Sequence, residues 1–184
     1  MATELNGTGT GSASSATAAN SKLNELFLEQ LKDIHWAEKK LVKALGKMED
    51  AATSDTLRNA FRTHQEQTRE HCNRLEQVFA SIGETPDTTK CPAMAGIISE
   101  AEDLIDDTDS GSSQRDVALI LAAQKAEHYE IASYGGLAQL AQTLGYTQAQ
   151  QLLRLTLEEE KMTDQLLTDL AESGINQDAG QEIA

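Results

Sequence analysis

The chain has 184 residues, of which 30 are acidic and 15 are basic, so its formal net charge is −15. This length suits one domain with a hydrophobic core, and the negative charge disfavours nucleic acid and anionic membrane surfaces as partners. No apolar run approaches the roughly 18 residues of a membrane-spanning helix, and the first residues lack the pattern of a signal peptide, so we expect a cytoplasmic protein. The same acidity would also suit a high-salt cytoplasm.

The N-terminal part of the chain is expected to form a tail and two helices. Residues 1–20 are mostly Gly, Ser, Thr and Ala, which is the composition of a disordered tail. A first helix is predicted over residues 21–50, with Ser21 as its N-cap, and a second over residues 54–82, ended by Gly83. Apolar side chains recur along both helices at alternating steps of four and three, which indicates one buried face on each.

The remainder of the chain continues the helical pattern after a long connection. That connection contains a short predicted helix over residues 93–107, and two further long helices follow over residues 114–144 and 147–173, the second capped by its first residue, a threonine. Residues 175–184 are expected to be a frayed tail. Short loops within each helix pair and a long link between the pairs predict an all-α, ferritin-like antiparallel four-helix bundle over residues 21–174, with an extra short helix in the crossover.

Polar side chains interrupt the apolar stripe near the middle of each long helix. Burying unpaired carboxylates at one depth of a bundle costs several kcal/mol, so such a group needs a compensating positive charge. Iron and manganese ions favour bridging carboxylates completed by imidazole. The interruptions are Glu38; His64, Thr68 and His71; Glu127 and Glu130; Glu160 and Asp164. The predicted ligands of a dinuclear iron or manganese centre are Glu38, His64, Glu127, Glu130, Glu160 and Asp164.

The histidines do not follow the standard ferritin-like pattern. Such sites take a Glu-x-x-His pair from each of two helices, and this sequence contains no such pair. We interpret His71 as a core histidine satisfied by the backbone or by a carboxylate, although it lies on the stripe. His35 and His128 point away from the stripes, which favours surface or dimer contacts.

Other ionisable residues are interpreted as structural or solvated. Glu158 and Glu159 belong to a charge run that is typical of a wet helix face, and Glu66 lies opposite the core face of its helix. Two cysteines, Cys72 and Cys91, form neither a disulfide framework nor a Cys-x-x-Cys motif, so we expect reduced thiols. Cys91 lies in a predicted loop and is expected to be partly exposed.

Several segments also carry a family resemblance. They are DIHWAEKKLVKALGKM, HQEQT, RLEQVF, KCPAMAGIISEAEDLID, AAQKAEHYEIASYGGLAQLAQTLGY and LLRLTLEEEKMTDQLLTDLA. Over about residues 23–170 the chain resembles the YciE/YciF family of ferritin-like proteins. The resemblance implies a four-helix bundle with a short crossover helix, usually a homodimer, associated with bacterial stress responses, and it implies no known reaction. The positions it offers for metal are the same six residues, and Gln67 stands where relatives can carry a carboxylate.

Two functions are compatible with these observations. The first is a stress-response protein whose carboxylate-bridged iron or manganese pair handles peroxide or dioxygen, with Glu127 and Glu160 as bridges and His64 as the nitrogen ligand. The sequence identifies no catalytic residue and leaves open whether a reaction is catalysed. The alternative is a non-catalytic structural or interaction protein whose polar core fixes the register of the helices and binds no metal.

Overall fold

The computed structural model describes residues 21–183. The predicted tail at residues 1–20 lies outside this part of the chain. Within it the secondary structure is helical, and the helices carry the fold predicted from the sequence. The five main helices are α1 (Lys22–Ala51), α2 (Asp55–Ser81), α3 (Pro92–Asp106), α4 (Ser113–Leu144) and α5 (Thr147–Leu170).

The four long helices pack as two hairpins. Helix α1 packs on α2 and α4 packs on α5, while contacts between α2 and α5 and between α1 and α4 close the bundle. Short turns at residues 52–54 and 145–146 force each hairpin to be antiparallel. Helix α3 packs on α4 and α1 within the long connection between the hairpins. This arrangement confirms the predicted antiparallel four-helix bundle with one crossover.

A buried carboxylate connects the two hairpins at one end of the bundle. Asp116, in the first turn of α4, is 2% exposed. Its two oxygens accept hydrogen bonds from the backbone N–H groups of Thr53 and Ser54, each at 2.7 Å. Ser54 is also the N-cap of α2. One side chain therefore satisfies backbone donors in the turn between α1 and α2 and ties that turn to α4.

The core has two apolar parts separated by polar side chains. In α1, for example, Leu31 and Ile34 lie on one side of Glu38, and Leu41 and Leu45 lie on the other, all almost completely buried. Because the helices run antiparallel, the interruptions predicted from the sequence come to one depth. We call the buried polar residues at this depth the polar layer. It comprises Glu38, His64, Thr68, His71, Glu127, Glu130 and Glu160.

The crossover is fastened to the bundle by two residues for which the predicted surroundings were wrong. His35 was expected at a surface, but it is 1% exposed and its Nδ1 donates to the carbonyl of Asp87 at 2.9 Å. Cys91 was expected to be partly exposed, but it is also 1% exposed. Its sulfur accepts from the backbone N–H of Met94 at 3.3 Å and so caps α3. His35 is buried because the crossover folds back over it, and Cys91 is buried where the crossover meets α4, with its sulfur 3.1 Å from the hydroxyl of Tyr129. Helical phase alone reveals neither contact.

The C-terminal end differs from its prediction. Helix α5 starts at Thr147 with Tyr146, rather than the threonine, in the cap position. It ends at Leu170, and a π-helical turn at Ala171–Ile175 leads into a short helix, α6 (Asn176–Ala179). The residues expected to fray are attached to α4, because the carboxylate of Glu182 accepts the backbone N–H groups of Ser113 and Gln114 at 2.6 and 2.9 Å. Across the residues that the structure describes, none of the helices combines the length and apolar character needed to span a membrane.

Candidate metal centre

Six ionisable side chains meet in the polar layer, and none is more than 3% exposed. The heptad spacing of the two histidines places them on one face of α2, and the spacing of three between the two glutamates of α4 places these on neighbouring positions of one face. All four long helices contribute. The six are Glu38 of α1, His64 and His71 of α2, Glu127 and Glu130 of α4, and Glu160 of α5.

The six side chains form two overlapping groups whose ligand atoms lie within 4.8 Å of one another. The Glu38 group contains Glu38, His71 and Glu160. The His64 group contains His64, Glu127, Glu130 and Glu160. Because Glu160 belongs to both, the arrangement is that of two adjacent cation sites with a shared carboxylate.

Several of these atoms are close together without being hydrogen-bonded. His64 Nε2 lies 3.0 Å from Glu127 Oε1, and His71 Nδ1 lies 2.9 Å from Glu160 Oε1 and 3.7 Å from Glu38 Oε1. Among the described residues, neither His64 Nε2 nor His71 Nδ1 has a partner in hydrogen-bond geometry. The same geometry is found where several ligand atoms bind one ion at about 2 Å. Those atoms lie about 3 Å from one another and point at the ion rather than at each other.

The carboxylates are also poorly satisfied. Six of their oxygens are buried and lack a hydrogen-bond partner in the part of the chain that the structure describes: both of Glu130, both of Glu160 and one each of Glu38 and Glu127. Buried carboxylate oxygens are normally hydrogen-bonded, and leaving them unpaired is costly. Carboxylate oxygens with imidazole nitrogens are a donor set for manganese or iron, so the residues present fit such ions.

Burial is the largest influence on the electrostatics of the four glutamates. Burial raises the pKa of Glu38 to about 7 and that of Glu127 to about 8. Burial also raises the pKa of Glu160 and, further still, that of Glu130. Without a cation, burial therefore favours the protonated form of these groups. Two divalent ions would bring four positive charges and balance all four carboxylates.

The two histidines have opposite surroundings. Burial lowers the pKa of His64, so its neutral form is favoured. Burial alone would lower the pKa of His71 as well, but contacts with Glu160 and Glu38 raise it to about 9. In the absence of an ion, His71 is therefore the positive charge of the polar layer.

Outer residues orient the Glu38 group. Tyr134, which is fully buried, donates its hydroxyl to Glu38. Glu159 lies 2.9 Å from His71 Nε2 and accepts from Arg74 at 2.6 Å. With Nε2 donating to this carboxylate, Nδ1 is the nitrogen available to a metal ion, in the arrangement common for metal-bound histidines. Glu159, predicted to be a solvated surface residue, is thus half-buried at 36% side-chain exposure and holds a member of the layer.

Asp164 is the predicted ligand that the structure does not bring together with the others. Its side chain is 24% exposed, and its Oδ1 lies 3.2 Å from the amide nitrogen of Gln124 and 3.4 Å from His128 Nε2. The buried face of α5 runs through Thr163 instead. The step of four residues from Glu160 carries Asp164 to the edge of that face, toward α4. His128 is exposed, as expected, and is a neighbour of Asp164.

His71 replaces Asp164 in the set of six candidate ligands. The sequence analysis interpreted it as a core histidine satisfied by a carboxylate, and the structure does place carboxylates beside it. It also belongs to one of the two ligand groups. The available signal was its spacing of seven from His64 on the same stripe. The layer then contains four glutamates and two histidines, the same donor inventory as in ferritin-like dimetal bundles, although without Glu-x-x-His pairs.

Comparisons with known proteins agree with this fold. Protein YciF of Escherichia coli is 47% identical over 158 residues, which are 85% of this chain and 95% of that protein. The crystal structure of the same E. coli stress protein matches with a TM-score of 0.80 at 46% identity, covering 85% of this chain and 98% of that one. YcfI of Rhodopseudomonas palustris matches with a TM-score of 0.77 at 38% identity, covering 80% and 94%.

A more distant structure supports the fold alone. A protein of Xanthomonas campestris matches with a TM-score of 0.66 at 18% identity, covering 88% of this chain and 98% of that one. The family described as a domain of unknown function, DUF892, matches residues 22–180, which include every helix of the bundle. The chain is similar to the YciF protein over most of its length, and it belongs to the DUF892 family.

Proposed function

We propose that this chain is a stress-response protein whose polar layer holds a dinuclear iron or manganese centre. The observation that carries the proposal is the set of four buried glutamates with unpartnered oxygens, set among two imidazoles. The related E. coli protein is named a stress protein, which supports the biological context. When bound, such a metal pair supplies one-electron oxidation and reduction, the chemistry that consumes peroxide or dioxygen.

The two ligand groups define which residues would hold each ion. Glu38 and His71 would hold one, His64, Glu127 and Glu130 the other, and Glu160 would serve both, which supports the sequence-based expectation that Glu160 is a bridge. The expected bridging role of Glu127 stays a prediction, because Glu127 belongs to the His64 group alone.

The protein's own groups prepare the site for small oxidants. Tyr134 fixes Glu38 and Glu159 fixes His71, so these two ligands are oriented in advance. Apolar layers on both sides restrict water and keep the local dielectric low, which strengthens each charge interaction. Among the described residues, neither oxygen of Glu130 and neither oxygen of Glu160 has a hydrogen-bond partner, so hydrogen bonds fix these two carboxylates least.

We also propose that the protein forms a homodimer in the cytoplasm, as the family resemblance implies. Sedimentation equilibrium of the full chain should give about twice the 19.9 kDa chain mass. A monomer at micromolar concentration would contradict this part of the proposal.

A non-catalytic structural role is the second candidate. It is favoured by hydrogen bonds from outer residues that tie the polar layer to other helices without any ion, such as that between Tyr134 of α4 and Glu38 of α1. The R. palustris relative is provisionally described as a structural protein. This role predicts that the purified chain binds no iron or manganese.

Elemental analysis separates the two candidates. Protein produced with iron and manganese in the medium and purified without chelator should carry about two ions per chain. Glu160→Gln keeps the size of the shared side chain but removes its charge, and should reduce the content to less than one. Glu158→Gln is the matched control, because Glu158 is exposed on the same helix and pairs only with Lys161.

The outcomes are distinct. A metal-free wild type with normal helical content would overturn the metal proposal and favour the structural role. Equal metal content in the two variants would show that the ions bind elsewhere. Peroxide consumption by the loaded wild type, and its loss in Glu160→Gln, would extend binding to activity.

A further inference from the structure

A cavity of about 270 Å³ lies between α2 and α5, beside the polar layer. Its floor is made by buried Phe61, His64 and Leu167. Its rim includes Met162 and Leu166, which are 71% and 45% exposed. The cavity is thus open to solvent on the outside and reaches a member of the His64 group on the inside.

The rim is more apolar than a solvated helix face requires. Large apolar side chains clustered at the mouth of a cavity are typical of ligand sites, whereas single exposed ones are common. Leu155, 55% exposed on the same helix, is such a single residue and does not line the cavity. Met162 and Leu166 together form an apolar lip, and its exposure to water is unfavourable unless a bound molecule covers it.

His64 gives the cavity a polar floor. Its Nε2 faces Glu127 at 3.0 Å, and its buried Nδ1 has no hydrogen-bond partner within residues 21–183. A neutral imidazole carries a proton on one nitrogen only. If Nε2 serves an ion, Nδ1 is a donor in need of an acceptor. The other polar residues that line the cavity are Thr63 and Gln67, which are exposed, and Thr163, which is buried.

Size and charge restrict what the cavity can bind. An engineered apolar cavity of about 150 Å³ binds benzene, so 270 Å³ accommodates a molecule of about two fused rings. A net charge of −15 and the adjacent glutamates disfavour an anion, and the apolar lining disfavours a cation.

We propose that this cavity binds a neutral, mainly apolar small molecule of bicyclic aromatic size, with one hydroxyl or carbonyl oxygen directed at His64. Its position beside a redox-active pair rests on the proposed function. Binding itself depends on the cavity and is measured separately, so the two proposals fail separately.

The test uses 2-naphthol and methionine methyl groups. In protein labelled with ¹³C at the methionine methyls, 2-naphthol should shift the signal of Met162, assigned with Met162→Leu, in metal-loaded and metal-free samples alike. Met48 and Met94, which are 3% and 0% exposed in the core, serve as internal references. Naphthalene, which lacks the oxygen, and naphthoate, which is an anion, should each bind at least tenfold more weakly than 2-naphthol.

Two variants locate the binding. Ala60→Leu adds volume from the wall of the cavity and should weaken 2-naphthol binding at least tenfold. Leu155→Gln, which changes an exposed apolar side chain outside the cavity, should leave it unchanged. Circular dichroism checks that both variants are folded.

Three results would overturn the proposal: no shift of Met162 up to saturating 2-naphthol, equal binding by Ala60→Leu and wild type, or a Met162 signal that depends on protein concentration and not on the ligand. The last would show that a second copy of the chain covers the lip. Ligand binding in protein that takes up no metal would refute the metal centre but not this site, and metal uptake without ligand binding would refute this site alone.

Discussion

The two ligand groups share Glu160 but differ in what surrounds them. In the Glu38 group, Tyr134 bonds Glu38 and Glu159 bonds His71, and Arg74 in turn holds Glu159. In the His64 group, the side chain of Gln67 opposes part of the pKa lowering that burial causes at His64. Among the described residues, however, neither nitrogen of His64 and neither oxygen of Glu130 has a partner in hydrogen-bond geometry.

This difference suggests a division of roles within one layer. An oriented group loses little entropy when a ligand atom binds, whereas a group without partners can move as ligands change. His64 also lines the cavity, whereas no member of the Glu38 group does. We expect the Glu38 group to be the rigid half and the His64 group to be the half that meets external molecules.

The largest effect should come from truncating the two histidines in metal-free protein. His71→Ala removes contacts to Glu159 and Glu160 and leaves a buried carboxylate without its positive neighbour, so it should lower the free energy of unfolding by about 3 kcal/mol. His64→Ala removes a polar group that makes no hydrogen bond and should cost only about 1 kcal/mol. Urea unfolding measures both losses of stability. Equal losses would show that the two ligand groups do not differ in how their histidines are held.

The pH dependence of metal-free protein should be the next largest effect. Glu38 and Glu127 have pKa values raised by burial to about 7 and 8, so the folded state binds more protons than the unfolded state above pH 4.5. The raised pKa of His71, about 9, acts in the same direction above pH 6.5. The free energy of unfolding should therefore fall by on the order of 2 kcal/mol between pH 6.5 and 9.

The control for this pH series is metal-loaded protein. Bound cations favour ionised carboxylates, so the loaded protein should lose little stability over the same range. Unfolding curves for metal-free protein that do not move with pH would show that these glutamates titrate as they do in the unfolded chain.

The smallest effect should come from Tyr134→Phe. It removes the hydroxyl that orients Glu38, so it should cost about 1 kcal/mol of stability and weaken ion binding at the Glu38 group about tenfold. Tyr129→Phe is the matched control, because Tyr129 donates to Asp33 outside the layer. If both variants bind metal like the wild type, the hydroxyl of Tyr134 does not orient Glu38 for ion binding.

Helical periodicity predicted most of the layer because depth in an antiparallel bundle follows from position along each helix. Helical periodicity alone was enough to predict Glu38, His64, Glu127 and Glu160. Asp164 was predicted with them because residues three and four positions after Glu160 look equivalent in a sequence. In the structure it is Thr163, three positions after Glu160, that is buried. Which of two near-equivalent phases faces the core depends on neighbouring helices.

Contacts between distant parts of the chain could not be predicted in this way. Glu159 reaches His71 across 88 positions of sequence, and a run of three glutamates gives no sign that the middle one bonds a histidine. His35 is buried because the crossover lies over it, with Asp87 some 52 positions away. Glu182 is ordered by its contact with Ser113, which depends on where the end of α5 points.

The attachment of Asp116 to the first hairpin has a consequence for how the molecule assembles. Each hairpin has a short turn and can form from local contacts. The contacts within one hairpin do not determine how it aligns lengthwise with the other hairpin. Pairing that is shifted by one helical turn would leave the backbone donors of Thr53 and Ser54 and the buried Asp116 carboxylate without partners. Asp116 therefore selects the correct alignment of the halves, and with it the single arrangement in which ligands from four helices arrive at one level.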